Sequence, residues 1–163
     1  MARSKPLIAE IEDVYRRRYR QFLRVAIAVL GDEATAHDAV QDGFAQALRE
    51  QSSFRGEGPL EAWVWRVVVN ASLAARRRRV ARQEDSEAAE VASASGHAAD
   101  ESGVRAWVSA LPERQRLAVY LRYYADLDYR AIAEALDVEV GTVSATLSSA
   151  HQALRQSLQE VER

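Results

Sequence analysis

The chain has 163 residues and no cysteine. Disulfides and thiolate metal sites are therefore excluded, and the composition fits a reducing cytoplasm. Histidine is scarce: His37, His97 and His151 lie far apart, and no HExxH pair or glycine-rich phosphate loop accompanies them. Long apolar runs are missing as well. The apolar stretch from Val64 to Val69 is broken by Arg66 and is far too short to span a bilayer. The opening residues, MARSKPLIAEIEDVY, contain no apolar stretch of signal-peptide kind. Net charge is small, at −2. These absences lead us to expect a cytoplasmic protein that is not inserted in a membrane, holds no metal or cofactor, and is not an enzyme.

The distribution of charge says more than its sum. Residues 1–79 carry net +4, residues 80–104 net −5, and residues 105–163 net −1. A basic first half is thus joined to a near-neutral second half through an acidic connector. The connector, QEDSEAAEVASASGHAADESG from Gln83 to Gly103, has no aromatic residue and no large aliphatic one except Val91. Such a segment cannot bury enough apolar surface to offset its conformational entropy. We read it as a flexible acidic linker over 83–103, between one domain at 1–82 and another at 104–163.

The stretch FRGEGPLEAWVWRVVVNASLAARRRR, from Phe54 to Arg79, dominates the first domain. Gly56, Gly58 and Pro59 mark a loop, and Pro59 suits a first helical position. Leu60, Trp63, Val64, Val67, Val68 and Ala71 then recur at helical spacing, predicting a helix over 60–79. Arg66 and Asn70 share one face of it. Two tryptophans, a loop and a basic helix end suit a nucleic-acid backbone and unpaired bases. The same residues also fit a plainer role: core aromatics, and a solvated arginine run that favours the negative end of the helix dipole.

Two helices are expected before this stretch. The first covers Leu7 to Leu30, stops at Gly31, and carries the basic, aromatic cluster YRRRYR on a solvated face. The second runs from Glu33 to about Gln51, capped by Asp32. Asp38, Gln41 and Asp42 form an exposed acidic and amide patch on it. In the second domain, short helices over 104–110 and 112–124 precede the pattern of a helix-turn-helix. A helix from Tyr129 to Leu136 is capped by Asp128, Asp137 to Glu139 make the turn, and a longer helix follows from Val140 to Leu158. An αα-hairpin without a DNA role shares that pattern.

Taken together, these residues resemble the bacterial sigma factors of RNA polymerase, in particular the small extracytoplasmic-function (ECF) group. In the first domain the similarity lies in LGDEATAHDAVQDGFAQAL and FRGEGPLEAWVWRVVVN. In the second it lies in LPERQRLAVYLRYYADLDYRAIAEALDVEVGTV. The resemblance implies an all-α fold, with a region 2-like helical bundle and a region 4-like helix-turn-helix joined by a flexible acidic linker. It implies a factor that docks on core RNA polymerase and directs it to promoter DNA, with an anti-sigma factor as a further potential partner. It places Asp38, Gln41 and Asp42 on the polymerase clamp. It assigns the minus-ten element to Ser53, Phe54, Arg55, Trp63, Arg66 and Asn70, with Arg76 and Arg77 at the basic helix end. It gives upstream readout to Thr142, Ser144, Ala145, Thr146, Ser148 and His151.

The chain departs from the family pattern at that last helix. Family members usually carry several basic residues where this chain reads VSATLSSAH, leaving His151 and Arg155. Arginine and lysine supply most phosphate affinity and the best guanine readout. An alternative reading is therefore a sigma-like polymerase-binding regulator with weak or absent upstream recognition. His37 and Ala74 also stand where acids are frequent in the family. An ordinary repressor would leave the tryptophan-rich first domain unexplained.

Overall fold

The first helix, α1, spans Leu7–Leu30 and stops where Gly31 takes a left-handed conformation, φ 76°. The Gly31 N–H returns to the Ile27 carbonyl at 2.7 Å, satisfying an end-of-helix acceptor. The computed structural model describes residues 6–85 and 103–163. The linker expected over 83–103 lies outside them apart from its ends. Among the described residues there are α-helices and one short 3₁₀ turn, and no strand.

The second helix, α2, spans Glu33–Arg49, and its start is built by Asp32. The carboxylate accepts from Ala34 N at 3.2 Å and Thr35 N at 3.1 Å, and from the Thr35 hydroxyl. The Thr35 hydroxyl and N–H hold the Asp32 carboxyl below its ordinary pKa. A 3₁₀ turn at Gln51–Ser53 follows, ending the expected helix two residues early. The third helix, α3, spans Leu60–Asp85. It outruns the expected end at Arg79 because arginine, alanine and glutamine are good helix formers, with no glycine or proline to stop it.

α1, α2 and α3 pack together as one bundle. α3 is the most enclosed: Val64, Trp65, Val67, Val68 and Val69 are all buried. A helix that is apolar on most sides is a core helix. Trp65 is fully buried, its ring 3.9 Å from that of Phe22. Periodicity places Trp63 on the inner stripe and passes over Trp65, yet Trp65 is the deeper of the two. At the α2–α3 crossing Gly43 faces Val68 so closely that a Cβ there would sit 2.9 Å from Val68 Cα.

The second unit contains α4 (Gly103–Ala110), α5 (Glu113–Tyr123), α6 (Tyr129–Leu136) and α7 (Val140–Val161). Asp128 caps α6 through Ala131 N at 2.8 Å. Asp137 ends it at φ 55°, a left-handed position that aspartate tolerates better than most residues. The Val138 N–H then reaches the Ala133 carbonyl at 2.9 Å. Ile132, Ala133, Val143, Leu147 and Ala150 are buried where α5, α6 and α7 meet. The two units are in contact: α6 lies across α3, and α5 meets α1.

Candidate nucleic-acid interface

The loop between α2 and α3 is folded by its own polar groups. The Ser53 hydroxyl donates to the Glu50 carbonyl at 2.7 Å, and Phe54 N donates to the Gln51 carbonyl at 3.2 Å. Gly56 adopts φ 73°, which a side chain would resist. The turn brings the Phe54 ring to 5.7 Å from Trp63, tilted by 51°. Together they wall a hollow of about 480 Å³. Ser53, Phe54, Arg55, Trp63, Arg66 and Asn70 all line it. Six positions named from sequence thus share one concavity, with aromatic walls, hydroxyl and amide hydrogen-bonding groups, and two guanidinium groups. Such a set can stack on an unpaired base, hydrogen-bond its edge and hold a neighbouring phosphate.

The arginine run does not act as one basic end. Arg76 Nη1 pairs with Glu113 at 2.5 Å. Arg79 Nη2 donates to the Leu30 carbonyl at 2.6 Å, closing the C-terminus of α1. Arg77 and Arg78 remain exposed. Of the two run members named for DNA, Arg77 projects freely and Arg76 is held by the second unit.

Asp38, Gln41 and Asp42 stand exposed on the outer face of α2. None of them forms an ion pair among the described residues. His37, beside them, hydrogen-bonds the Tyr19 hydroxyl, and its Nε2 lies 3.7 Å from Glu33. Burial, and then the neighbouring Tyr15, raises the pKa of the Tyr19 hydroxyl.

On α7, Ser144, Ala145 and Ser148 face solvent, while Thr142, Thr146 and His151 are half-buried. Two of the polar groups are already engaged. The Thr146 hydroxyl donates to the Thr142 carbonyl at 2.7 Å, and His151 Nε2 meets the Tyr123 hydroxyl at 2.8 Å. Nearby arginines are partly structural too. Arg116 donates to the Ser109 carbonyl at 3.0 Å and Arg122 to the Leu127 carbonyl at 3.2 Å, tying turns rather than facing out. Arg114 and Arg130 are exposed.

Sequence reasoning missed the residues that the second unit sends to α3. Asp137 Oδ1 lies 3.2 Å from Arg66 Nη2, and Glu134 lines the same hollow as the six residues above. Acidic residues on a short amphipathic helix read as solvated, and no local signal marks them otherwise. Among the described residues, no cluster of three metal-ligating side chains occurs and no helix is long and apolar enough to cross a membrane.

The sequence model for Sigma-70 region 2 matches residues 14–82, and that for Sigma-70 region 4 matches residues 104–154. The chain is 30% identical over 143 residues to the ECF RNA polymerase sigma-E factor of Escherichia coli K12, covering 77% of this chain and 75% of that protein. It is 29% identical over 164 residues to the RNA polymerase sigma-H factor of Pseudomonas aeruginosa, covering 88% of this chain and 83% of that one. Among solved structures, its fold is similar to the sigma factor RpoE in complex with the anti-sigma factor NepR from Bartonella quintana. That similarity has a TM-score of 0.72 at 24% identity, over 93% of this chain and 99% of that one. It is also similar to CnrH in complex with the cytosolic domain of CnrY, with a TM-score of 0.69 at 21% identity over 94% and 96% of the two chains. With a region 2 bundle, a region 4 helix-turn-helix and a sigma-E relative matched along most of both chains, the protein belongs to the ECF group of sigma-70 factors, which direct RNA polymerase to promoters to initiate transcription.

Proposed function

We propose that the hollow between the α2–α3 loop and α3 captures a base of the minus-ten element as the promoter opens. The observation that carries this is the convergence of Ser53, Phe54, Arg55, Trp63, Arg66 and Asn70 on one concavity. Extruding a base costs a few kcal/mol, which stacking of about 1–3 kcal/mol per base and a shaped pocket can offset. Opening then needs no ATP and no covalent chemistry from this chain. Arg77 and Arg78 supply phosphate contacts beyond the hollow.

The exposed Asp38, Gln41 and Asp42 face of α2 meets core polymerase. Residues 1–82 serve docking and melting, 83–103 link, and 104–163 place the helix-turn-helix at the upstream element. The protein acts in the cytoplasm, where promoters are. Both solved relatives named above are complexes, the first with a protein described as an anti-sigma factor, which supports such a factor as a partner here.

Run-off transcription with core polymerase, paired with permanganate footprinting, tests the assignment. Asn70→Ala and a double Ser53→Ala/Phe54→Ala variant should reduce permanganate-reactive thymines while leaving polymerase binding intact. Normal open complexes from both variants would refute the placement of the base.

A further inference from the structure

The basic cluster YRRRYR on α1 divides into two sets once the helix is packed. Tyr15 turns inward, its ring 4.6 Å from that of Phe44, and Arg18 pairs with Glu61 at 2.9 Å. Arg16, Arg17 and Arg20 stay exposed, and Arg24 joins them one turn on. Arg16, Arg20 and Arg24 are spaced four residues apart, so they form one row with about 6 Å of axial rise between neighbours. These arginines line a hollow of about 550 Å³ together with Tyr19 and Tyr124. Tyr19 is held there by His37, through its hydroxyl. Tyr124 stands at the Arg24 end, its ring centroid 5.5 Å from that guanidinium. Tyr120 backs it, the two rings stacked 4.9 Å apart. No lining residue is shared with the hollow assigned to the minus-ten base.

We infer that this second hollow is a binding site for a short oligophosphate, free or carried as the phosphate chain of a nucleotide. Arg16 with Arg20, and Arg20 with Arg24, are like-charge pairs at a spacing that destabilises a helix. Among the described residues, no carboxylate forms an ion pair with Arg16, Arg17 or Arg20. A polyanion supplies the counter-charge that the chain does not. Each guanidinium offers a fork of N–H donors that matches phosphate oxygens. The Tyr124 contact fixes Arg24 without neutralising it, because an aromatic ring has no net charge.

The length of the row selects the ligand. From Arg16 to Arg24 it rises about 12 Å, room for roughly two or three linked phosphates. Exposed Glu12 occupies the preceding place in the same row and repels a phosphate chain that would run on past Arg16. Tyr124 bounds the other end. A nucleic-acid backbone needs an open track, whereas this site is closed at both ends. Its volume lies in the range of small-ligand clefts, about 300–1,000 Å³.

The test titrates the full chain with inorganic tripolyphosphate by isothermal titration calorimetry, at low salt and without divalent cations. Tripolyphosphate should bind roughly tenfold more tightly than orthophosphate, since it reaches several guanidiniums at once. Arg16→Ala/Arg20→Ala should weaken its binding by roughly tenfold, the scale of two partly exposed charged contacts. Alanine favours the helix, and circular dichroism checks that α1 is retained. A control, Arg114→Ala/Arg155→Ala, removes equal charge from exposed positions on α5 and α7 and should change affinity by less than about twofold. Adenosine triphosphate separates the two sources. Tighter binding than tripolyphosphate, with the advantage lost in Tyr124→Ala, assigns a nucleotide stacked on that ring; equal or weaker binding assigns a free oligophosphate. Failure to bind tripolyphosphate, equal affinity for orthophosphate, an equal loss in the control, or no loss in Arg16→Ala/Arg20→Ala would each overturn the inference. So would a random-sequence single-stranded oligonucleotide that binds more tightly than tripolyphosphate and depends on Arg16 and Arg20, because the row would then be a nucleic-acid track.

Discussion

Two glycine-to-alanine changes, at Gly43 and Gly141, should move stability in opposite directions. Both residues lie within helices, so both gain helix propensity on becoming alanine, by up to about 1 kcal/mol in a helix interior. They differ in what the new methyl meets. At Gly141 nothing lies within 4 Å, so the gain is realised, reduced somewhat because the position is in the first turn of α7. At Gly43 the methyl would stand 2.9 Å from Val68 Cα, 3.1 Å from Val68 Cγ2 and 3.4 Å from Ala71 Cβ. The nearest of these is backbone and cannot rotate away. Overpacking of this kind costs about 1–3 kcal/mol. Gly43→Ala should therefore destabilise by roughly 1 kcal/mol net, and Gly141→Ala should stabilise by roughly half that. At about 2–4 °C per kcal/mol for a chain of this size, thermal unfolding by circular dichroism resolves the two. Gly43→Ala melting above wild type, by as much as Gly141→Ala, would refute the close approach of α2 to α3. The outcome bears on the proposed function, because Gly43 sits beside Asp42 and sets how the proposed docking face rests on α3.

Three further outcomes are expected. Reversing charge at Asp38 and Asp42 together should reduce co-purification with core polymerase without loss of helicity; undiminished recovery would move the docking face elsewhere. Scrambling the upstream promoter element should cost less transcription than scrambling the downstream one, since α7 offers few basic groups, and equal losses would show that α7 reads DNA strongly. Asp32 should make α2 acid-sensitive: its pKa is lowered in the folded protein by Thr35 hydrogen bonds, so its contribution is present above the ordinary carboxylate pKa and fades as pH falls through the lowered value. Asp32→Asn should keep the cap and flatten that part of the pH–stability curve, and an unaltered curve would assign the acid response to another group.

Much of the fold was legible because its boundaries are written in local chemistry. Gly31, Asp32 and Asp128 fix helix ends through backbone geometry and single hydrogen bonds, which depend on a few adjacent residues. The end of α3 was not legible, since nothing between Arg79 and Asp85 breaks a helix. Trp65 fits the reading of the two tryptophans as core aromatics, but it lay outside the expected apolar stripe because such a stripe assumes one buried face, whereas α3 is enclosed from several sides. The lining of the hollow was readable from the motif around Phe54 to Asn70. The acidic residues opposite it were not, because Glu134 and Asp137 acquire their meaning only when a distant helix is laid on α3.

The bond from Arg79 to the Leu30 carbonyl has a mechanical consequence. α3 is the last described element of the first unit before the chain leaves for the second, so a pull carried along the chain enters the bundle at its C-terminal end. Arg79 ties that end to the C-terminus of α1. Asn70 lies nine residues upstream, roughly 13 Å along the helix axis at the usual rise per residue. Tension is thus borne by the guanidinium clamp and by α1 before it reaches the hollow. The walls around Phe54 and Trp63 thus lie behind that clamp along the path of the chain.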